Sequence, residues 1–158
     1  MKVRTGFVSN SSSSSFVLDF NGEPSIGEIK DFLKQFGSFE DLDNSAQCFK
    51  DEMTELTEDY LNKQIAEYTT SDTGSWGDYC QEMREKYENL LEKVKASETP
   101  LYMIGISDHR DEDPWAIMNI KHKVDKNGDK WDDYDCLESA MAWDWNYIPQ
   151  IIDYYNNH

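Results

Sequence analysis

Residues 16–36 read FVLDFNGEPSIGEIKDFLKQF, and the spacing of their apolar residues changes partway along. Phe16, Leu18 and Phe20 occupy alternate positions, so the spacing predicts a strand with these three apolar side chains on one face. Asn21 and Gly22 then form a pair that is typical of tight turns. Beyond the turn, apolar residues recur every three or four positions, which predicts a helix. Ser25 and Glu28 fit a capping box at the start of this helix.

The rest of the chain contains further blocks of both patterns. Helical stripes predict three more helices, and Glu82 and Lys86 in the middle one are spaced to form an ion pair. The predicted helices run from Asp43 or Ser45 to Tyr68, from Tyr79 to Val94, and from Leu137 to Tyr155 with a break near Ile148 caused by Pro149. The predicted strands are Phe7-Val8, 16–20, 101–106, 115–124 and 131–134, with a hairpin turn at 126–129.

Strands and helices therefore occur in blocks and do not alternate strictly. This order predicts an α+β fold, in which an antiparallel sheet of about four to five strands is packed by three or four helices. A length of 158 residues fits a single domain spanning 1–158.

Composition restricts the compartment and the class of protein. The chain holds nine Tyr, seven Phe and five Trp, enough large apolar rings to build a core. Cys48, Cys80 and Cys136 lie far apart, which favours free thiols in a reducing cytoplasm. No apolar run is long enough for a membrane span, and no apolar stretch follows the basic start as in a secretory signal. We therefore expect a cytoplasmic protein without membrane contact.

The net charge of −17 is the strongest functional signal, because 32 acidic residues oppose 15 Lys and Arg. A chain of this charge repels nucleic acid and anionic membrane surfaces, and it attracts basic protein surfaces. The alternative interpretation is that the charge serves only solubility.

Acidic and aromatic residues are interleaved near the carboxyl-terminal end of the sequence. Aromatic rings supply contact area and carboxylates bind Arg and Lys, so this mixture suits an interface with a basic partner. In the alternative interpretation the rings face the core and the acids face water. The candidate partner-binding residues are Asp129, Trp131, Asp132, Asp133, Tyr134, Asp135, Glu138 and Asp144.

A run of serines near the amino-terminal end has three interpretations. It is a structural loop between two strands, an accessible site of modification, or a source of backbone donors for phosphate or a partner's edge strand. The residues of this tract are Asn10, Ser11, Ser12, Ser13, Ser14 and Ser15.

The tract belongs to a longer string, RTGFVSNSSSSSF at residues 4–16. This string resembles the amino-terminal signature of a group of small proteins from bacteriophages and bacterial mobile elements. The resemblance covers about the first tenth of the chain and implies an origin, not a fold or an activity. It implies that the protein acts inside a bacterial host cell, where host-directed roles are common.

Motifs for catalysis, metal binding and cofactor binding are missing or incomplete. No nucleophile has a diagnostic flank with a His base, and phosphate-binding glycine loops do not occur. The only weak metal candidates are in an acidic loop, and no second ligand motif supports them. They are Asp108, His109, Asp111 and Asp113. We therefore expect no cofactor, no metal and no enzymatic activity.

These observations lead to one functional hypothesis and two alternatives, and they leave the oligomeric state open. The hypothesis is an interaction protein that binds and inhibits a basic, nucleic-acid-handling host protein, such as a defence or transcription factor, with carboxylates mimicking phosphates. One alternative is a structural or virion-associated protein. The other is an enzyme or metal-binding protein.

Overall fold

A computed structural model describes residues 13–70, 77–107, 113–124, 126–128 and 130–157. These residues form an α+β fold, as predicted. The helices are α1 (Ile26–Lys34), α2 (Leu42–Glu52), α3 (Glu58–Thr70), α4 (Gly77–Ala96) and α5 (Leu137–Asp144), with short 3₁₀ turns at Pro114–Ala116 and Trp145–Tyr147. The strands are β1 (Ser13–Leu18), β2 (Ser38–Phe39), β3 (Thr54–Leu56), β4 (Leu101–Ser107), β5 (Ile117–Val124), β6 (Lys130–Cys136) and β7 (Ile151–Asn157).

The strands divide into two antiparallel sheets, where the sequence predicted one. The larger sheet has the order β3-β4-β1-β7, and the smaller has the order β2-β5-β6. In the larger sheet Phe16 of β1 lies opposite Ile104 of β4 and Tyr154 of β7. Strand β1 is therefore interior, with hydrogen-bonded neighbours on both edges.

Helices cover both faces of the larger sheet, because alternate residues of β1 and β4 point to opposite sides. On one face Phe16, Leu18 and Ile104 pack in a core with side chains of α1, α2 and α5. On the other face Val17 and Leu101 pack against α3 and α4. The near-continuous apolar runs of these two strands follow from burial on both faces.

Several local predictions are confirmed. Ser25 caps α1 in a capping box with Glu28, and Ile29, Phe32 and Leu33 of its predicted apolar stripe are buried. Asn21 and Gly22 both have positive φ, as their turn requires. The β5–β6 hairpin also forms, with Gly128 at φ 84° in its turn.

Two predicted helices are wrong in part. The helix predicted from Asp43 or Ser45 to Tyr68 is interrupted at Met53, because Thr54–Leu56 leaves it to pair with β4. The helix predicted from Leu137 to Tyr155 ends at Asp144, before Pro149, and Ile151–Asn157 instead pairs with β1. The predicted strand Phe7-Val8 lies outside the described residues.

Candidate functional site

An open groove of about 860 Å³ lies where α2 meets β2 and the turn at Pro114–Ala116. Apolar and acidic side chains both line it, the combination that the sequence suggested for a basic partner, although at another place. Its lining residues are Ser38, Phe39, Glu40, Asp41, Asn44, Ser45, Cys48, Pro114, Trp115 and Ile117.

Contacts between distant parts of the chain fix the shape of the groove. The Ser45 hydroxyl of α2 donates a hydrogen bond to the Trp115 carbonyl at 2.6 Å. The Trp115 ring packs edge to face on Phe49, with ring centroids 6.2 Å apart. The Asp113 carboxylate, two residues before Trp115, accepts a hydrogen bond from the Ser107 amide of β4 at 2.7 Å. The aromatic wall of the groove is therefore anchored to both α2 and β4.

Carboxylates continue from the groove along the neighbouring surface. We call residues 40–59 the acidic segment, because they include eight carboxylates and a single basic residue, Lys50. All eight carboxylate residues are exposed. Lys50 forms an ion pair with Glu23, which lies outside the segment, and its Nζ is 3.9 Å from Glu23 Oε1. Among the described residues, only Asp43 of the eight forms an ion pair, with Lys30. The eight are Glu40, Asp41, Asp43, Asp51, Glu52, Glu55, Glu58 and Asp59.

Two carboxylates of the acidic segment also have local structural roles. Asp41 caps α2 by accepting a hydrogen bond from the Asn44 amide at 3.1 Å, and Asp51 accepts one from Gln47 at 2.9 Å. Glu40 and Glu52 have no such contact within the described part of the chain. The groove and its surroundings therefore present negative charge that basic side chains can neutralise.

Among the predicted partner-binding residues, the structure describes the side chains of Glu138 and Asp144. Glu138 is fully buried, so its prediction as a contact residue is wrong. Its carboxylate points into the core beneath β1. Asp144 is half-buried, next to exposed Trp143. Asp129 lies outside the described residues, and the backbone of Trp131, Asp132, Asp133, Tyr134 and Asp135 belongs to strand β6.

The predicted loop of serines is wrong for its second half, which forms the start of β1. Ser14 is fully buried and Ser15 is 6% exposed, so neither is an accessible site of modification. Ser14 donates a hydrogen bond to the Glu138 carboxyl at 2.5 Å. Ser13 is half-buried in the same strand. Asn10, Ser11 and Ser12 lie outside the described residues.

The described residues contain no group of three His, Cys, Asp or Glu side chains arranged to hold a metal ion. Of the weak metal candidates, Asp113 bonds to the Ser107 amide, and Asp108, His109 and Asp111 lie outside the described residues. None of the three cysteines forms a disulfide bond, as predicted. Within the described part of the chain, no helix has the length and apolarity to cross a membrane.

The sequence contained a signal for the groove that composition alone did not single out. An aromatic ring lies beside acidic or turn residues in both Phe39-Glu40-Asp41 and Pro114-Trp115, but Pro114 follows Asp41 by 73 positions.

Comparison with family models, curated proteins and solved structures gives no match. The groove is therefore interpreted from its own geometry.

Proposed function

We propose that this chain is a non-enzymatic interaction protein whose groove and acidic segment bind a basic partner protein. The proposed partner is a nucleic-acid-handling protein of a bacterial host, such as a defence or transcription factor. Carboxylates would occupy the positions at which the partner normally holds phosphates, and binding would inhibit it. The host setting follows from the resemblance of residues 4–16 to phage and mobile-element proteins.

The observation that carries this proposal is the exposed charge of the acidic segment. Eight carboxylates with one ion pair among them create a negative potential that attracts Lys and Arg and accelerates association. Solubility alone does not require this charge to adjoin a groove with two aromatic side chains, Phe39 and Trp115. Rings of this kind supply the contact area that charge alone does not.

The proposal is tested by affinity capture from a nuclease-treated bacterial lysate, with elution in rising salt and identification by mass spectrometry. We expect a basic, nucleic-acid-binding protein that elutes as salt screens the charges. The purified partner should then lose this protein when its own nucleic acid is added. A partner that holds both at once would contradict the mimicry, and capture of no basic protein would contradict the proposed function.

Two variants of equal net charge distinguish binding by the groove and the acidic segment from an effect of net charge alone. The groove variant carries Glu40→Lys and Glu52→Lys, and the helix variant carries Glu88→Lys and Glu92→Lys on the exposed side of α4. Because all four residues are exposed, both variants should fold normally. We expect the groove variant to lose the partner and the helix variant to retain it.

A further inference from the structure

A second cavity, of about 670 Å³, lies on the face of the larger sheet that α4 covers. Its floor includes Ser15 of β1, Met103 of β4 and Tyr155 of β7. Ser15 lies opposite Gly105 of β4 and Tyr155 of β7. Because Ser15 and Gly105 are small, they leave room above the sheet at this point. Gly105 is exposed although β4 is an interior strand. This cavity shares no lining residue with the groove.

Seven residues of α4 line the cavity, and three of them form a wall along one side of the helix. Tyr79, Met83 and Lys86 are spaced by four and three positions, which places them on one face of the helix. The Tyr79 ring packs edge to face on Tyr68 of α3, with centroids 6.1 Å apart, yet the residue is 49% exposed. The wall therefore offers a positioned aromatic ring to a ligand in the cavity.

Lys86 contacts aromatic rings and does not form the ion pair predicted with Glu82. Its ammonium lies 4.9 Å from the centroid of the Tyr155 ring and 5.7 Å from that of Tyr87. No carboxylate of the described residues lies within 4.0 Å of it, although the chain has a net charge of −17. Burial lowers the pKa of Lys86, as expected for a cation that has lost water without gaining an anion.

We propose that this cavity binds a small aromatic anion with one negative charge. The anionic group pairs with Lys86, and the ring packs against Tyr79 and Tyr155. Glu82 and Glu85 at the rim disfavour ligands with several negative charges. The cavity volume lies within the range of about 300–1,000 Å³ that is usual for small-molecule sites. This binding is independent of the proposed partner.

Methionine methyl NMR tests the proposal, with indole-3-acetate as the probe because it has one carboxylate and an aromatic ring. Met83 and Met103 line the cavity, whereas Met118 and Met141 are fully buried in the core on the opposite face. We expect the probe to shift the Met83 and Met103 signals and leave the other two unchanged. Neutral indole-3-acetamide should bind at least about tenfold more weakly.

Two lysine variants complete the test. Lys86→Met should weaken indole-3-acetate at least about tenfold, and Lys95→Met, on an exposed part of α4, should leave its affinity unchanged. The Met118 and Met141 signals report whether each variant is folded, and the acetamide comparison tests the charge in the unaltered protein. Unshifted Met83 and Met103 signals at about 10 mM probe, or equal affinity for acetate and acetamide, would overturn the proposal.

Discussion

At the scale of single residues, the contact between Ser14 and Glu138 shows what part of the serine tract does. The two residues are 124 positions apart, and both are fully buried. The small hydroxyl of Ser14 leaves room for the carboxylate and bonds to it, which connects β1 to α5. The composition of the tract identified an unusual segment, but no local pattern could show a partner so distant in sequence.

Removal of the Glu138 carboxylate should therefore destabilise the protein. Glu138→Ala removes the acceptor that Ser14 contacts at 2.5 Å, leaving only the Tyr154 hydroxyl at 3.5 Å among the described residues, and opens a space in the core. We therefore expect a loss of about 2–4 kcal/mol in unfolding free energy. Urea unfolding measures this value. Exposed Glu88→Ala is the matched control and should change it by less than about 0.5 kcal/mol.

A double-mutant cycle shows whether the hydrogen bond causes this loss. Ser14→Ala and Glu138→Ala should each destabilise the protein, and their combined effect should be smaller than the sum. Additive effects would contradict a direct interaction between the two side chains.

Because of Tyr87, the unfolding free energy should depend on pH in the alkaline range. Burial first, and then neighbouring tyrosines and Glu67, raise its pKa from 10.0 to about 12. Because the unfolded chain loses this proton first, the stabilisation is complete below pH 10 and decreases as the pH rises towards 12. Tyr87→Phe should reduce the alkaline loss of stability, measured by urea unfolding at several pH values. The same loss in Tyr87→Phe as in the unaltered protein would contradict this assignment.

At the scale of elements, local signals predicted elements well where the local pattern agreed with the tertiary contacts. Helix α1 has a capping box and one apolar stripe, and the structure keeps both. The stripe from residue 43 to 68 also has helical spacing, but Thr54–Leu56 pairs with β4. Likewise Ile151–Asn157 becomes a strand because it pairs with the edge of β1 opposite β4. Both pairings are long-range, so spacing alone could not reveal them.

The break between α2 and α3 leaves Thr57 as the cap of the new helix. Its side-chain oxygen accepts a hydrogen bond from the Tyr60 amide at 3.1 Å. Thr57→Ala should therefore cost about 1 kcal/mol of unfolding free energy, measured by urea denaturation. Exposed Asn62→Ala in the same helix serves as the control, and an equal effect of both substitutions would argue against capping.

At the scale of the whole molecule, the fold brings together chemistry that the sequence keeps apart. Acidity and aromatic content predicted the kind of surface, and the stretch around residues 129–144 was the expected place. The groove instead combines residues 38–48 with residues 114–117. Its location depends on β2 pairing with β5 and on the bond between Ser45 and Trp115. Neither contact has a local sequence signature.

The proposed function requires that the groove and the acidic segment bind basic partners beyond the effect of net charge. Titration of a peptide rich in arginine and lysine into the unaltered protein, the groove variant and the helix variant tests this requirement directly. We predict that the groove variant binds at least about tenfold more weakly than the helix variant, and that salt weakens binding by the unaltered protein. Equal affinities of the two variants would contradict the proposed function, because net charge alone would then explain binding.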